Sequence, residues 1–204
     1  MRLDRRSMVL AAGIALWLAV PGGAAEAQRD PTVVRRAERS YKARHQVDAF
    51  TRDSTTEIDI YRISDDPRAR CSHADGTPLV RLSLRKVAAR SQEPALLIHA
   101  DYAGWRWLTL GTGEALRLMV DDSLLALYPE GRVDYRDDIY ANEAQSYRIT
   151  RDDLARLARA GSVRARLSGQ SGRCDFRLRP ESLELVRLFL QRELGGAATV
   201  TSER

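Results

Sequence analysis

Residues 162–178 read SVRARLSGQSGRCDFRL. Val163, Ala165 and Leu167 alternate with Arg164 and Arg166, the two-residue period of a half-buried strand. Gly169-Gln170-Ser171-Gly172 turns the chain, and Cys174, Phe176 and Leu178 resume the alternation on the return. Two amphipathic strands joined by a short turn predict an antiparallel ladder with one dry face and one wet face. Helices flank this hairpin on both sides. Upstream, Thr150 with Asp153 resembles a capping box with Asp in place of Glu, Leu154, Leu157 and Ala158 form a buried stripe, and Gly161 ends the helix. Downstream, Pro180 opens a helix that turns Leu183, Val186, Leu190 and Leu194 inward and closes at Gly195-Gly196.

The same alternation recurs toward the N-terminus. Ile58 and Ile60 alternate with Glu57 and Asp59, and Val80, Leu82 and Leu84 with Arg81, Ser83 and Arg85. Residues 96–102 lead through Ala103-Gly104 into Trp105–Leu110, which predicts a hairpin with Tyr102 facing Trp105 and Asp101 facing Arg106. A second hairpin places Leu116 and Leu118 opposite Leu127 and Leu125 across an Asp121-Asp122 turn that lacks glycine. Residues 132–136 and 142–149 add further strands. The expectation is an α+β fold, mainly antiparallel β, with about 8–10 short strands in a curved sheet or sandwich and two C-terminal helices. Near the N-terminus Asp30 suits a cap and Pro31 a first helical position, so the charged segment 28–50 carries a possible third helix. Strands and helices do not alternate regularly, which excludes a doubly wound parallel sheet.

The first 27 residues differ in kind. Arg2, Arg5 and Arg6 precede the apolar run Met8–Val20, Pro21-Gly22-Gly23 breaks it, and Ala25-Glu26-Ala27 supplies a small-residue cleavage site. That order is a secretory signal peptide. The general secretory route is expected, although Arg5-Arg6 also has the shape of a twin-arginine signal. The expected organisation is therefore a leader over 1–27, the charged segment 28–50, one β-rich domain over 51–196, and a tail over 197–204. An exported protein, periplasmic or secreted, follows from the leader. The 13-residue apolar run is too short for a confident span, and no membrane span is expected in the mature chain.

Cys71 and Cys174 are the only cysteines. In an oxidising compartment an even pair with no other role forms a disulfide. Cys71-Ser72-His73 offers only a C-x-H pair and no companion ligands, so no metal site is expected. Catalytic motifs are equally thin. Ser171 sits in a strand-to-strand turn and lacks the spacing of a nucleophile elbow, and Gly111-Thr112-Gly113 lacks the rest of a phosphate loop. The paired acids 65–66, 121–122 and 137–138 lack calcium-loop spacing. His99 and Asp101 share one face of a predicted strand, where His99 is either a half-buried side chain bonded to a neighbour or a general base oriented by Asp101. Tyr102, Trp105 and Trp107 lie on one predicted face, which fills the core if the sheet is covered and, if exposed, suits a sugar ring, an apolar ligand or a partner protein.

A formal charge of +5 on 204 residues is modest, and 44% apolar residues are too many for a disordered chain. Nucleic-acid binders cluster their arginines on one face; here the arginines alternate with Asp and Glu along the elements, so a solvated surface and no nucleic-acid partner are expected. The sequence thus points to an exported, non-enzymatic binding or interaction module without a cofactor. A small exported hydrolase with dispersed catalytic residues and a structural envelope protein are the alternatives.

Overall fold

The computed structural model describes residues 29–72, 78–89, 93–111, 115–137 and 140–195. The leader, His73, Thr112-Gly113 and the tail beyond 196 lie outside these residues. Eleven strands form two antiparallel sheets among them, with three helices. One sheet has six strands: β1 (Arg44–Val47), β2 (Ser54–Arg62), β4 (Leu79–Ala88), β5 (Ala95–Gly104), β9 (Ala141–Arg148) and β8 (Pro129–Asp137), side by side in that order. The other has five: β3 (Arg70–Cys71), β11 (Arg173–Leu178), β10 (Val163–Ser168), β6 (Leu116–Val120) and β7 (Ser123–Leu127). The helices are α1 (Pro31–Ser40), α2 (Arg151–Arg159) and α3 (Pro180–Phe189), the last continued by a wider turn over Leu190–Leu194.

The predicted mainly antiparallel α+β fold is the observed one. In the β10–β11 hairpin Val163, Ala165 and Leu167 are buried with Cys174, Phe176 and Leu178. The β6–β7 hairpin has the expected register, Leu116 opposite Leu127 and Leu118 opposite Leu125. Asp121 takes the left-handed conformation there (φ 51°), a role that a short polar side chain can fill where glycine is missing. Its carboxylate also accepts from the N–H groups of Gly161 and Ser162, tying the turn to the end of α2.

Two expectations need correction. The 28–50 segment is helical only to Ser40; Tyr41 turns extended (φ −68°, ψ 109°) and the chain enters β1, which pairs with β2. The second is the Trp105–Leu110 return strand, which does not form. A strand has two edges, and those of β5 are taken by β4 and β9, with Gly104 opposite Ala141. Thr109 is left-handed as well (φ 59°), which interrupts extended backbone. Residues 105–111 therefore run as an irregular loop.

Inner faces of both sheets share one buried cluster with the helices. Tyr61 of β2 stacks on Phe176 of β11 at 4.5 Å between ring centroids, joining the sheets. A β-bulge between Asp59 and Tyr61 brings Ile60 and Tyr61 inward together, where strict alternation would have exposed one. Thr150 caps α2 by accepting from the Asp153 N–H, and its hydroxyl donates to the Asp153 carboxylate at 2.7 Å. α1 is anchored to α3 through buried Ala37, the Arg36–Glu181 ion pair and the Tyr41 hydroxyl, which donates to Glu193. Cys71 and Cys174 are disulfide-bonded, directly opposite each other across β3 and β11.

Candidate functional site

The six-stranded sheet turns its dry face to the core through Ile58, Val80, Leu82, Leu84, Ile98 and Ala100. The opposite face is built from the intervening residues. Across the strands one row runs Arg44, Glu57, Arg85, Leu97, Arg148; the next Asp59, Ser83, His99, Ser146, Glu130; a third Arg81, Asp101, Ala144, Asp134. Charges of opposite sign are neighbours, and each of these acids has an arginine. Arg44 and Arg85 meet Glu57, Arg44, Arg62 and Arg81 meet Asp59, Arg81 meets Asp101, Arg148 meets Glu130, and Arg136 meets Asp134.

His99 lies inside this lattice. Its Nδ1 is 2.9 Å from Ser146 Oγ and its Nε2 3.3 Å from Asp101 Oδ1. Arg81 Nε donates to Asp101 Oδ2 at 2.9 Å. Burial pushes the carboxyls of Glu57, Asp59 and Asp101 up, but their hydrogen bonds and the facing positive charges outweigh it and hold all three below their ordinary values. For Asp101 the opposing groups are His99 and Arg81. An open cleft of about 1,100 Å³ covers the end of this face and is lined by Arg81, His99, Asp101, Ala103, Arg136 and Asn142, among others.

Ala103 and Asn142 face each other one step before the aromatic loop leaves β5. Tyr102, Trp105 and Trp107 are not one face. Tyr102 points into the core, where its hydroxyl donates to the Arg106 carbonyl at 2.9 Å. Trp105 is 61% exposed and packs edge-on against Tyr140, with 4.7 Å between centroids. Trp107 meets Tyr135 in the same manner at 5.7 Å. The solvent-facing aromatics are therefore Trp105, Tyr140 and Tyr135, with Trp107 half-buried against Tyr135. The two tyrosines come from a different hairpin, β8–β9, so no local sequence pattern joins them to the tryptophans.

An irregular loop that presents tryptophan needs a cause for its rigidity. Glu143, on the dry face of β9 and 1% exposed, accepts from the N–H groups of Leu108, Thr109 and Leu110. From the other sheet, Gln170 N–H donates to the Thr109 carbonyl and Ser171 N–H to the Leu108 carbonyl. Ser171 Oγ lies 2.9 Å from Thr109 Oγ1, so its hydroxyl braces this loop. A Cβ on Gly169 would lie 1.9 Å from the Leu108 carbonyl oxygen, so only glycine permits this approach. Residues 108–110, directly after Trp107, are thus braced from both sheets, and the Arg106 carbonyl between the tryptophans is held by Tyr102.

Among the described residues no group of three or more His, Cys, Asp or Glu is disposed to hold a metal ion. No family model, curated protein or solved structure matches the chain, so its family is not assigned.

Proposed function

We propose that this protein is an exported, non-enzymatic binding module whose ligand is a small polar molecule with one apolar face, of which a sugar ring is the type. The observation that carries it is an exposed tryptophan held on a doubly braced loop beside a cleft of charged and amide side chains. Rigid aromatic side chains offer contact area at little entropic cost, and fixed donors and acceptors beside them provide orientation. Export is the setting in which the protein works: the leader would be removed at Ala27, and the Cys71–Cys174 bond suits an oxidising compartment. No helix among the described residues is long and apolar enough to cross a membrane.

Fluorescence titration tests it directly, since Trp17 of the leader is the only tryptophan besides Trp105 and Trp107. A panel of neutral and acidic oligosaccharides should include ligands that shift emission of the chain starting at Gln28, with Trp105→Ala weakening them at least tenfold. Absence of any shift across the panel, or equal affinity in the variant, would count against it.

One arrangement favours a hydrolytic alternative. Ser146, His99 and Asp101 form a hydroxyl–imidazole–carboxylate relay along neighbouring strands. Against it, Ser146 sits mid-strand with His99 on one side and Glu130 on the other, so its backbone is committed to sheet pairing. That leaves no evident backbone oxyanion site at the serine. Hydrolysis of an activated ester that disappears in Ser146→Ala would establish this alternative over simple binding.

A further inference from the structure

The wet face of the five-stranded sheet has a different character. Arg164 and Arg166 come from β10, Arg173, Asp175 and Arg177 from β11, Arg70 from β3, and Arg117 with Met119 from β6. Register places Arg70, Asp175, Arg166 and Arg117 in one row and Arg177, Arg164, Met119 and Leu124 in the next. Arg68 stands beside them around a shallow hollow of about 590 Å³. Seven arginines therefore gather on this side of the sheet around Asp175, with Asp66 at its edge. Asp175 is shared by Arg166 and Arg173, while the guanidiniums of Arg68, Arg164 and Arg177 form no ion pair among the described residues; Asp66, at the sheet edge, accepts from the backbone N–H groups of Arg68 and Arg177. What looked in sequence like dispersed, alternating charge is clustered, because alternation along a strand puts every arginine on the same side of the sheet.

We infer that this face docks the protein onto an anionic phospholipid surface. Three observations favour a bilayer over a linear polyanion. The arginines form a two-dimensional array, about 4.8 Å between strands and about 6.8 Å along them, whereas a single chain of phosphates or sulfates needs a stripe. The array ends in an apolar border, Met119, Leu124 and Ala126, with Leu124 54% exposed at the β6–β7 hairpin. That border gains by entering the acyl boundary and gains nothing from a hydrated polyanion. Third, arginine stems lie along apolar surface while their guanidiniums reach headgroup phosphates, as a mixed Arg–Leu face requires. Each basic side chain near an anionic leaflet strengthens partitioning roughly fivefold. This surface is separate from the aromatic loop and its cleft, so docking and ligand capture fail independently.

The test is vesicle co-sedimentation of the chain starting at Gln28, which keeps every described residue and lacks the apolar leader. Vesicles are phosphatidylglycerol–phosphatidylcholine mixtures or phosphatidylcholine alone. Binding is expected to the anionic vesicles only, to weaken as salt rises, and to fall at least tenfold in Arg164→Glu/Arg177→Glu and severalfold in Leu124→Ser. Arg35→Glu/Arg39→Glu, with the same change in net charge on exposed positions of α1, should bind as the unmodified chain does. Thermal unfolding of each variant shows that it is folded. Equal loss in both double variants, or equal binding to phosphatidylcholine, overturns the proposal. So does a soluble polyanion, heparin or a short DNA duplex, that binds with Leu124→Ser unchanged and displaces the protein from vesicles.

Discussion

Both sheets are written in the same script of apolar residue, arginine, apolar residue, yet their outer faces are opposites. On the six-stranded sheet six arginines (44, 62, 81, 85, 136, 148) meet five acids (57, 59, 101, 130, 134), each acid in an ion pair. On the five-stranded sheet seven arginines (68, 70, 117, 164, 166, 173, 177) gather around Asp175, which pairs with Arg166 and Arg173, and around Asp66, which is held by backbone N–H groups at the edge. The difference is not in any strand by itself but in what its neighbours place alongside. β4 carries Arg81 and Arg85 much as β10 carries Arg164 and Arg166, but β2 and β5 supply carboxylates and β6 and β11 supply mostly more arginine. Pairing makes one face a fixed polar surface suited to hydrogen-bonded recognition. The excess of arginine over acid leaves the other an electropositive field.

The two sheets are also held differently, and the largest effect should come from the covalent bond that only one of them has. Replacing Cys71 and Cys174 by alanine removes a loop closure of 103 residues, for an expected loss of about 2–5 kcal/mol in denaturant unfolding. β3 is two residues long, so Arg70 should detach with it and vesicle binding should weaken as well. Unchanged stability in the double alanine variant would show that β3 holds without its staple. Next comes Glu143→Ala, which strands three backbone donors and should destabilise by about 2–4 kcal/mol. Tryptophan emission should then move toward that of the unfolded chain before global unfolding, because the loop loses half its bracing.

Smaller effects separate the two arginine populations. The carboxyls of Glu57, Asp59 and Asp101 are held below their ordinary values in the folded chain. The unfolded chain therefore binds more protons near pH 4, and their contribution is complete above the ordinary values of 3.8 and 4.5 and is lost as pH falls through the lower folded values. Unfolding midpoints measured between pH 7 and pH 2 should decline in that acid range, and less steeply in Asp101→Asn. At neutral pH Arg81→Ala, which removes one of the three arginines at Asp59 and leaves Asp101 with His99 alone, should cost about 1 kcal/mol. Arg164→Ala, releasing no acid, should stay within about 0.5 kcal/mol of the parent. Equal costs for those two substitutions would erase the distinction between the faces.

Much of this arrangement was legible because its causes are local. Capping by Asp30 and Thr150, the Pro180 start, and the opposition of Leu116–Leu127 and Leu118–Leu125 all follow from residues within a few positions of one another. Partner choice was not. Trp105–Leu110 reads well as a return strand, and only the arrival of β9 at the same edge of β5 prevents it. β9 itself, ANEAQSYR, is polar on both faces, so nothing in it announces that Glu143 and Gln145 point inward. The aromatic group shows both limits: Trp105 and Trp107 were visible as candidates, whereas Tyr135 and Tyr140 join them only through the β8–β9 pairing. The arginine face failed differently, since its parity was plain in the sequence but adjacency of β3, β11, β10 and β6 was not.

Gly169, which lets the β10–β11 turn close on Leu108, has a consequence in time. The groups that brace residues 108–110 are supplied later in the chain, by Tyr135, by Glu143 and by Gln170 and Ser171. A chain growing or emerging from its N-terminus holds its tryptophans ready long before it can fix them. The loop over residues 105–111 should therefore consolidate late in folding, after distant segments have met, and a chain that stops short of the β10–β11 hairpin should lose it along with the missing strands.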